Sequence, residues 1–172
     1  DPVADKALLQ PDVPGLTAAQ VATATESPRQ YGFHATLKPP FHLADSSTEV
    51  DLRAAAAAFS AAHRPFTAPA VSLQRIGRFQ AFALTAPSAE MNHLAADCIT
   101  AFDRFRAPPS ASELAKRRER GLTDRQESYL QAWGYPYVME EFRFHMTMLG
   151  STSDEALHAA ITACLQPLAG HF

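Results

Sequence analysis

Two short stretches of this chain, Phe33–Lys38 and Phe142–Met148, alternate strictly between apolar and other residues. Each carries a histidine and a threonine two places apart, His34-Ala35-Thr36 and His145-Met146-Thr147. A period of two predicts strands, in which side chains at i and i+2 share a face. On the first, Phe33, Ala35 and Leu37 would meet a core while His34, Thr36 and Lys38 point the other way. On the second, Phe142, Phe144, Met146 and Met148 would be inside, with Arg143, His145 and Thr147 opposite. Burying such a polar face without partners costs about 1–3 kcal/mol per unsatisfied group. A phosphate satisfies all three residue types at once: hydroxyls donate to its oxygens, cations neutralise it and imidazoles exchange protons with it. Histidine suits that exchange because its unperturbed pKa is about 6.5. Two histidines flanking a phosphorus can serve as base and acid of an in-line displacement. A lone histidine in an alternating strand is ordinarily a surface residue; the repeated pattern is what favours chemistry.

Capping boxes, in which a Ser/Thr and a Glu/Gln three residues later satisfy each other's amides, mark the helix starts. Thr17 with Gln20 opens a helix to about Thr25, and Ser46 with Glu49 one to about His63. Ser110 with Glu113 opens a basic helix to about Arg120. Thr123 with Gln126 opens one ending near Trp133-Gly134, and Thr152 with Glu155 one that Pro167 should stop near Gln166. Apolar spacing from Met91 to Phe102 predicts a further helix over Ser88–Phe105. Val71–Ile76 and Phe79–Thr85 flank Gly77-Arg78 as a hairpin. Many helices with few strands point to an α+β fold with an antiparallel sheet.

The 172 residues suit one domain or two small lobes, and a composition 47% apolar and 19% charged is that of a globular chain. A net charge of −3 gives no bulk attraction to nucleic acid or an anionic membrane. No apolar run approaches the ~20 residues of a membrane span, so a cytoplasmic protein is expected. Cys98 and Cys164 lie in apolar helical surroundings and are expected to be buried free thiols. His42, His63, His93, His158 and His171 have no partner at metal-ligand spacing, and the chain has no Cys-x-x-Cys. With only seven glycines it also has no glycine-rich phosphate loop. Metal and nucleoside-triphosphate chemistry are therefore disfavoured and no cofactor is expected.

The paired His34-Ala35-Thr36-Leu37 and His145-Met146-Thr147-Met148 resemble the His-x-Thr/Ser signatures of the two-histidine phosphoesterase superfamily, which includes the 2′-5′ RNA ligase-like cyclic phosphodiesterases. That resemblance implies a duplicated, two-lobed α+β fold with outer helices and a central cleft carrying the two His-x-Thr strands. Residues 1–172 would form one such domain, with 106–134 as a helical insertion near the cleft. The chain opens on Asp1-Pro2 without an early strand and stops at His171-Phe172 after a helix. The terminal strands of the lobes are thus expected to be missing, which would leave a sheet edge open. A closer likeness runs through Tyr31–Phe41, Phe102–Pro109, Trp133–Val138 and Phe142–Thr147 to a bacterial family often encoded near phosphonate-metabolism genes. It implies a role near phosphonate or phosphate-ester breakdown.

Carried onto this chain, the resemblance makes His34 and His145 the catalytic acid and base, with either order open, and Thr36 and Thr147 the phosphate ligands. Strand parity adds Lys38 and Arg143 as candidate substrate contacts. Tyr31 is placed to close over a base or sugar. Arg104 and Arg106 precede Ala107-Pro108-Pro109 and are candidates to point inward, and Tyr135 is a candidate to stack on a ring. The bland readings are aromatic packing in a turn for Tyr135 and a solvated helix for Lys116–Arg120. The expected activity is metal-independent hydrolysis of a cyclic phosphodiester or related phosphoester. A small phosphorylated substrate is favoured over an RNA end, with no membrane partner and the oligomeric state open. The competing expectation is a non-catalytic module that binds a phosphorylated metabolite or RNA end.

Overall fold

The computed structural model describes residues 12–119 and 121–171. Six α-helices and a three-stranded antiparallel sheet account for the regular structure there. Helix α1 (Ala18–Ala24) starts at a capping box of Thr17 and Gln20, α4 (Ala111–Arg118) at one of Ser110 and Glu113, and α5 (Asp124–Trp133) at one of Thr123 and Gln126. Gly134 ends α5 at φ 72°, the left-handed conformation in which glycine carries no Cβ penalty. Ser88 caps α3 (Ala89–Phe102), whose last turn tightens into a 3-10 turn over Asp103–Phe105.

Two caps differ from expectation. Helix α2 (Glu49–Ala62) is capped by Thr48 with Asp51, because an aspartate at the third helical position reaches back as a glutamate would. Helix α6 (Glu155–Leu165) is capped by Asp154, while the Thr152 hydroxyl accepts from the Asp154 amide. The α-helix stops at Leu165 with Gln166 as its C-cap, as expected before Pro167, and a 3-10 turn over Gln166–His171 follows. Arg120, the expected end of the basic helix, and the opening Asp1-Pro2 lie outside the described residues, as does Phe172.

The sheet runs β1 (Val71–Ile76), β2 (Phe79–Leu84), β3 (His145–Leu149), with Gly77 at φ 59° in the hairpin turn. In β2–β3, Ala83 pairs with His145, Phe82 with Met146 and Ala81 with Thr147. A bulge follows, so that Gln80 pairs with Leu149 and Met148 is the extra residue. It reverses parity, which turns Leu149 to the face opposite Thr147. There Leu149, fully buried, joins Val13, Val21, Ala24, Leu157 and Ile161 in a core shared by α1 and α6.

The expected strand over Phe33–Lys38 does not form. No strand pairs with this segment among the described residues, the His34 ring bonds to the Gly32 carbonyl and the Thr36 hydroxyl, and Pro39-Pro40 offer no amide donor to extend a ladder. The second expected strand begins at His145, not Phe142. The preceding Met139–Glu141 forms a 3-10 turn, and at the β2–β3 register Phe142 would lie opposite Ala86, next to Pro87. One sheet is present among the described residues.

The chain divides into two compact units. The first gathers the described residues through Thr36, Pro69–Pro87 and the chain from Phe144 onward; the second comprises Leu37–Ala68 and Ser88–Arg143. The second unit buries Ala95, Cys98, Ile99, Phe105, Leu130, Pro136 and Val138. Cys98 and Cys164 are free thiols, the first buried and the second half-buried.

Candidate active site

Both His-x-Thr motifs fall in the first unit, along with Tyr31. His145 is the first residue of β3, its ring 5.5 Å from that of Phe79, and Thr147 follows two places on. Antiparallel partners share a face, so both side chains lie on the face of Ala81 and Ala83. Gln80 is on the other face, where its amide donates to the His158 carbonyl (3.2 Å) and the Thr162 hydroxyl (2.6 Å) of α6. Helix α6 therefore backs the strand from the side opposite His145 and Thr147. Ala81 and Ala83, the small partners on that side, are both buried.

His34 and Thr36 are held differently. They sit in an exposed loop that Gly32 enters in the left-handed conformation, at φ 71°. The His34 ring meets the Gly32 carbonyl through Nδ1 (3.1 Å) and the Thr36 hydroxyl through Nε2 (3.1 Å). Tyr31, 57% exposed, places its ring 5.8 Å from that of His34. Phe33 packs edge-on against Phe82 of β2, and the 3-10 turn over Pro28–Gln30 packs on β3.

The other candidates, Lys38, Arg104, Arg106, Tyr135 and Arg143, belong to the second unit. Without the strand, parity no longer places Lys38 beside Thr36. Its side chain is 8% exposed, and its ammonium donates to the Ile99 carbonyl (3.0 Å) and to Asp103 Oδ1 (3.4 Å). Burial pushes the ammonium below its ordinary pKa, against the opposing pull of Asp103. Arg106 donates to both Asp103 oxygens (2.7 and 3.2 Å) and to the Ala132 carbonyl (3.2 Å). It also lies against Gly134, where an added Cβ would come within 3.0 Å of the guanidinium. Burial raises the Asp103 carboxyl, but the bond and charge of Arg106, with Lys38, outweigh it and hold the group below the usual carboxylate range. Lys38 and Arg106 are thus joined through one half-buried carboxylate.

Arg143 precedes β3 and is exposed, so strand parity does not align it with His145. Arg104 lies over the Phe105 ring at 4.7 Å. Tyr135 carries the Arg117 guanidinium over its ring at 4.5 Å and meets Tyr137 edge-on at 5.7 Å. Sequence reading missed Gly32 and Asp103. The signal for Gly32 was a glycine between two aromatics immediately before a motif histidine. For Asp103 it was an acid set among Arg104, Arg106 and a lysine without a nearby partner.

Among the described residues, no group of three or more His, Cys, Asp or Glu side chains could hold a metal ion. No helix there is long and apolar enough to cross a membrane.

The fold and site define an α+β domain with a paired His-x-Thr motif. The chain belongs to the family described as protein of unknown function DUF1045, whose model matches residues 36–172. It is similar to a protein of Janthinobacterium sp. (strain Marseille) named ribose 1,5-bisphosphate phosphokinase PhnN, 40% identical over 158 residues that cover 92% of this chain and 34% of that protein. A protein of the same name from Laribacter hongkongensis (strain HLHK9) is 30% identical over 163 residues, 93% of this chain and 36% of its own length. The chain thus spans about a third of the length of the curated relatives it matches. No solved structure matches it.

Proposed function

We propose that this domain is a metal-independent phosphoesterase of the two-histidine class that opens a cyclic phosphodiester. Water adds to phosphorus as an ester P–O bond breaks. One imidazole takes the water's proton and the other, as imidazolium, protonates the leaving oxygen; Thr36 and Thr147 bind phosphoryl oxygens. The observation that carries this reading is that both His-x-Thr pairs belong to one compact unit. The duplicated lobes of that class are part of the proposal.

The relatives' name speaks of a phosphokinase. A P-loop kinase cradles its nucleotide with G-x-x-x-x-G-K-[ST], and no glycine in this chain is followed by lysine. Since this chain corresponds to about a third of each relative, we assign the phosphokinase to their remaining length and the esterase to the shared third. Opening a cyclic phosphodiester on a phosphorylated ribose leaves a ribose bisphosphate, the kind of compound their name gives as the kinase's substrate. A small cyclic ribose phosphate is therefore favoured over an RNA end, in keeping with a net charge of −3.

The test is a screen of cyclic ribose phosphates, 2′,3′-cyclic nucleotides and RNA with a cyclic phosphate end, with EDTA in a parallel arm. The expected result is EDTA-insensitive turnover with a bell-shaped pH–rate profile, falling ~10²–10⁴-fold in either His34→Ala or His145→Ala. Unchanged turnover in both variants would end the reading. Thermal stabilisation by these compounds without turnover would mark a binding module.

A further inference from the structure

Gly32 adopts φ 71°, a backbone conformation open to glycine at no steric cost. Its carbonyl oxygen lies 3.1 Å from His34 Nδ1. A carbonyl only accepts, so Nδ1 carries the proton, and a neutral imidazole with that proton has a bare Nε2. The Thr36 hydroxyl, 3.1 Å from Nε2, must then be the donor of that second bond. We propose that the Gly32 carbonyl fixes neutral His34 as the Nδ1–H tautomer and so makes Nε2 the proton-exchanging nitrogen of the site, capped by the Thr36 hydroxyl until a phosphate draws that hydroxyl away.

This assignment rests on the phosphoesterase reading and names the nitrogen through which His34 takes part in it. An anionic phosphate oxygen is a stronger acceptor than a neutral imidazole nitrogen, because hydrogen bonds to ionised partners are roughly twice as strong as neutral ones. Thr36 therefore turns its proton to the phosphate, and the lone pair of Nε2 is released beside it. In the order in which His34 is the base, Nε2 takes a proton from water as the water oxygen bonds to phosphorus. The new Nε2–H donates back to Thr36 Oγ1, whose own proton stays on the phosphate. Protonation of the leaving oxygen then falls to His145, and solvent restores both imidazoles. Thr36 is a catalytic residue in this scheme, whereas Gly32 acts through His34 and is a positioning residue.

The experiment is a ¹⁵N spectrum of the histidine rings of the whole chain above the imidazole titration range, with the His34 signals identified by their absence in His34→Ala. The expected result is a protonated Nδ1 and a bare Nε2, with added inorganic phosphate moving the Nε2 resonance and leaving Nδ1 in place. An Nε2–H tautomer, or an Nε2 signal indifferent to phosphate, would overturn the proposal. Neither readout requires turnover, so a failed substrate screen and a wrong tautomer are separate results. Gly32→Asn, which tolerates the left-handed conformation, should keep the tautomer. Gly32→Val should lose it, with kcat falling ~10²-fold and KM little changed. A tautomer unaltered in a folded Gly32→Val protein also counts against the role given to Gly32.

Discussion

His34-Ala35-Thr36 and His145-Met146-Thr147 share a pattern and are supported in opposite ways. The second is the start of β3, paired residue by residue with Ala83, Phe82 and Ala81 and backed by α6. The first has no ladder. It hangs on the turn at Gly32 and on the two bonds of the His34 ring, between Tyr31, 57% exposed, and Phe33, 51% exposed. The comparison teaches that alternation specifies which faces a segment could offer, while a neighbouring strand decides whether it becomes one. It also separates two ways of placing an imidazole: tertiary packing for His145, local hydrogen bonding for His34.

The largest effect that would break this contrast comes from the core behind β3. Leu149 is fully buried against α1 and α6, so Leu149→Ala should cost ~2–5 kcal/mol. Hydrogen exchange should quicken at the amides of Met146 and Leu149 and stay unchanged from Gly32 to Thr36. Equal loosening of both motifs would show that the first also depends on that core.

The hairpin, the caps of α1, α4 and α5 and the left-handed Gly134 were legible in the sequence because each is decided by residues within four positions of one another. The strand over Phe33–Lys38 was misread because its decisive determinant, a partner edge, is not local. The same holds for Lys38, whose partners Ile99 and Asp103 lie far along the chain. The bulge at Met148 was also beyond strand parity: Met146, Met148 and Leu149 are all apolar, and only the pairing with Gln80 shows which of them turns to α6. The motif residues themselves were legible as residue types, and what the sequence left unread was the backbone at Gly32 that orients one of them.

A smaller effect sharpens the comparison from the side of the first motif. Two residues past Thr36, Lys38 is tied to Asp103, which also takes two bonds from Arg106. Asp103→Asn keeps the shape but removes the charge that two cations share, and should cost ~1–3 kcal/mol. Faster exchange is expected around Ala44 and Ala107, whose amides donate to the Phe105 and His42 carbonyls of the same unit. β3 should be spared. A variant as stable as the parent would show that the network contributes little.

The smallest predicted effect is a pH dependence of that anchor, and its sign follows from the two shifts. Asp103 is held below its ordinary 3.8 in the folded chain. Its contribution is therefore fully present above that value and is lost as pH falls through the lower, folded one. Lys38 acts in the other direction. Its folded pKa lies below 10.5, so the charged ammonium costs stability at neutral pH, a cost relieved as pH rises through the folded value towards 10.5. Acidification below about 3.8 should thus move the side-chain resonances of Lys38 and Arg106 together before those of Met146 and Leu149 respond, because β3 is held by apolar packing with no carboxylate in its core. In Asp103→Asn the early change should disappear and the later one remain. A single transition shared by all four residues in the parent would mean that the Asp103 network and β3 are lost in one cooperative step.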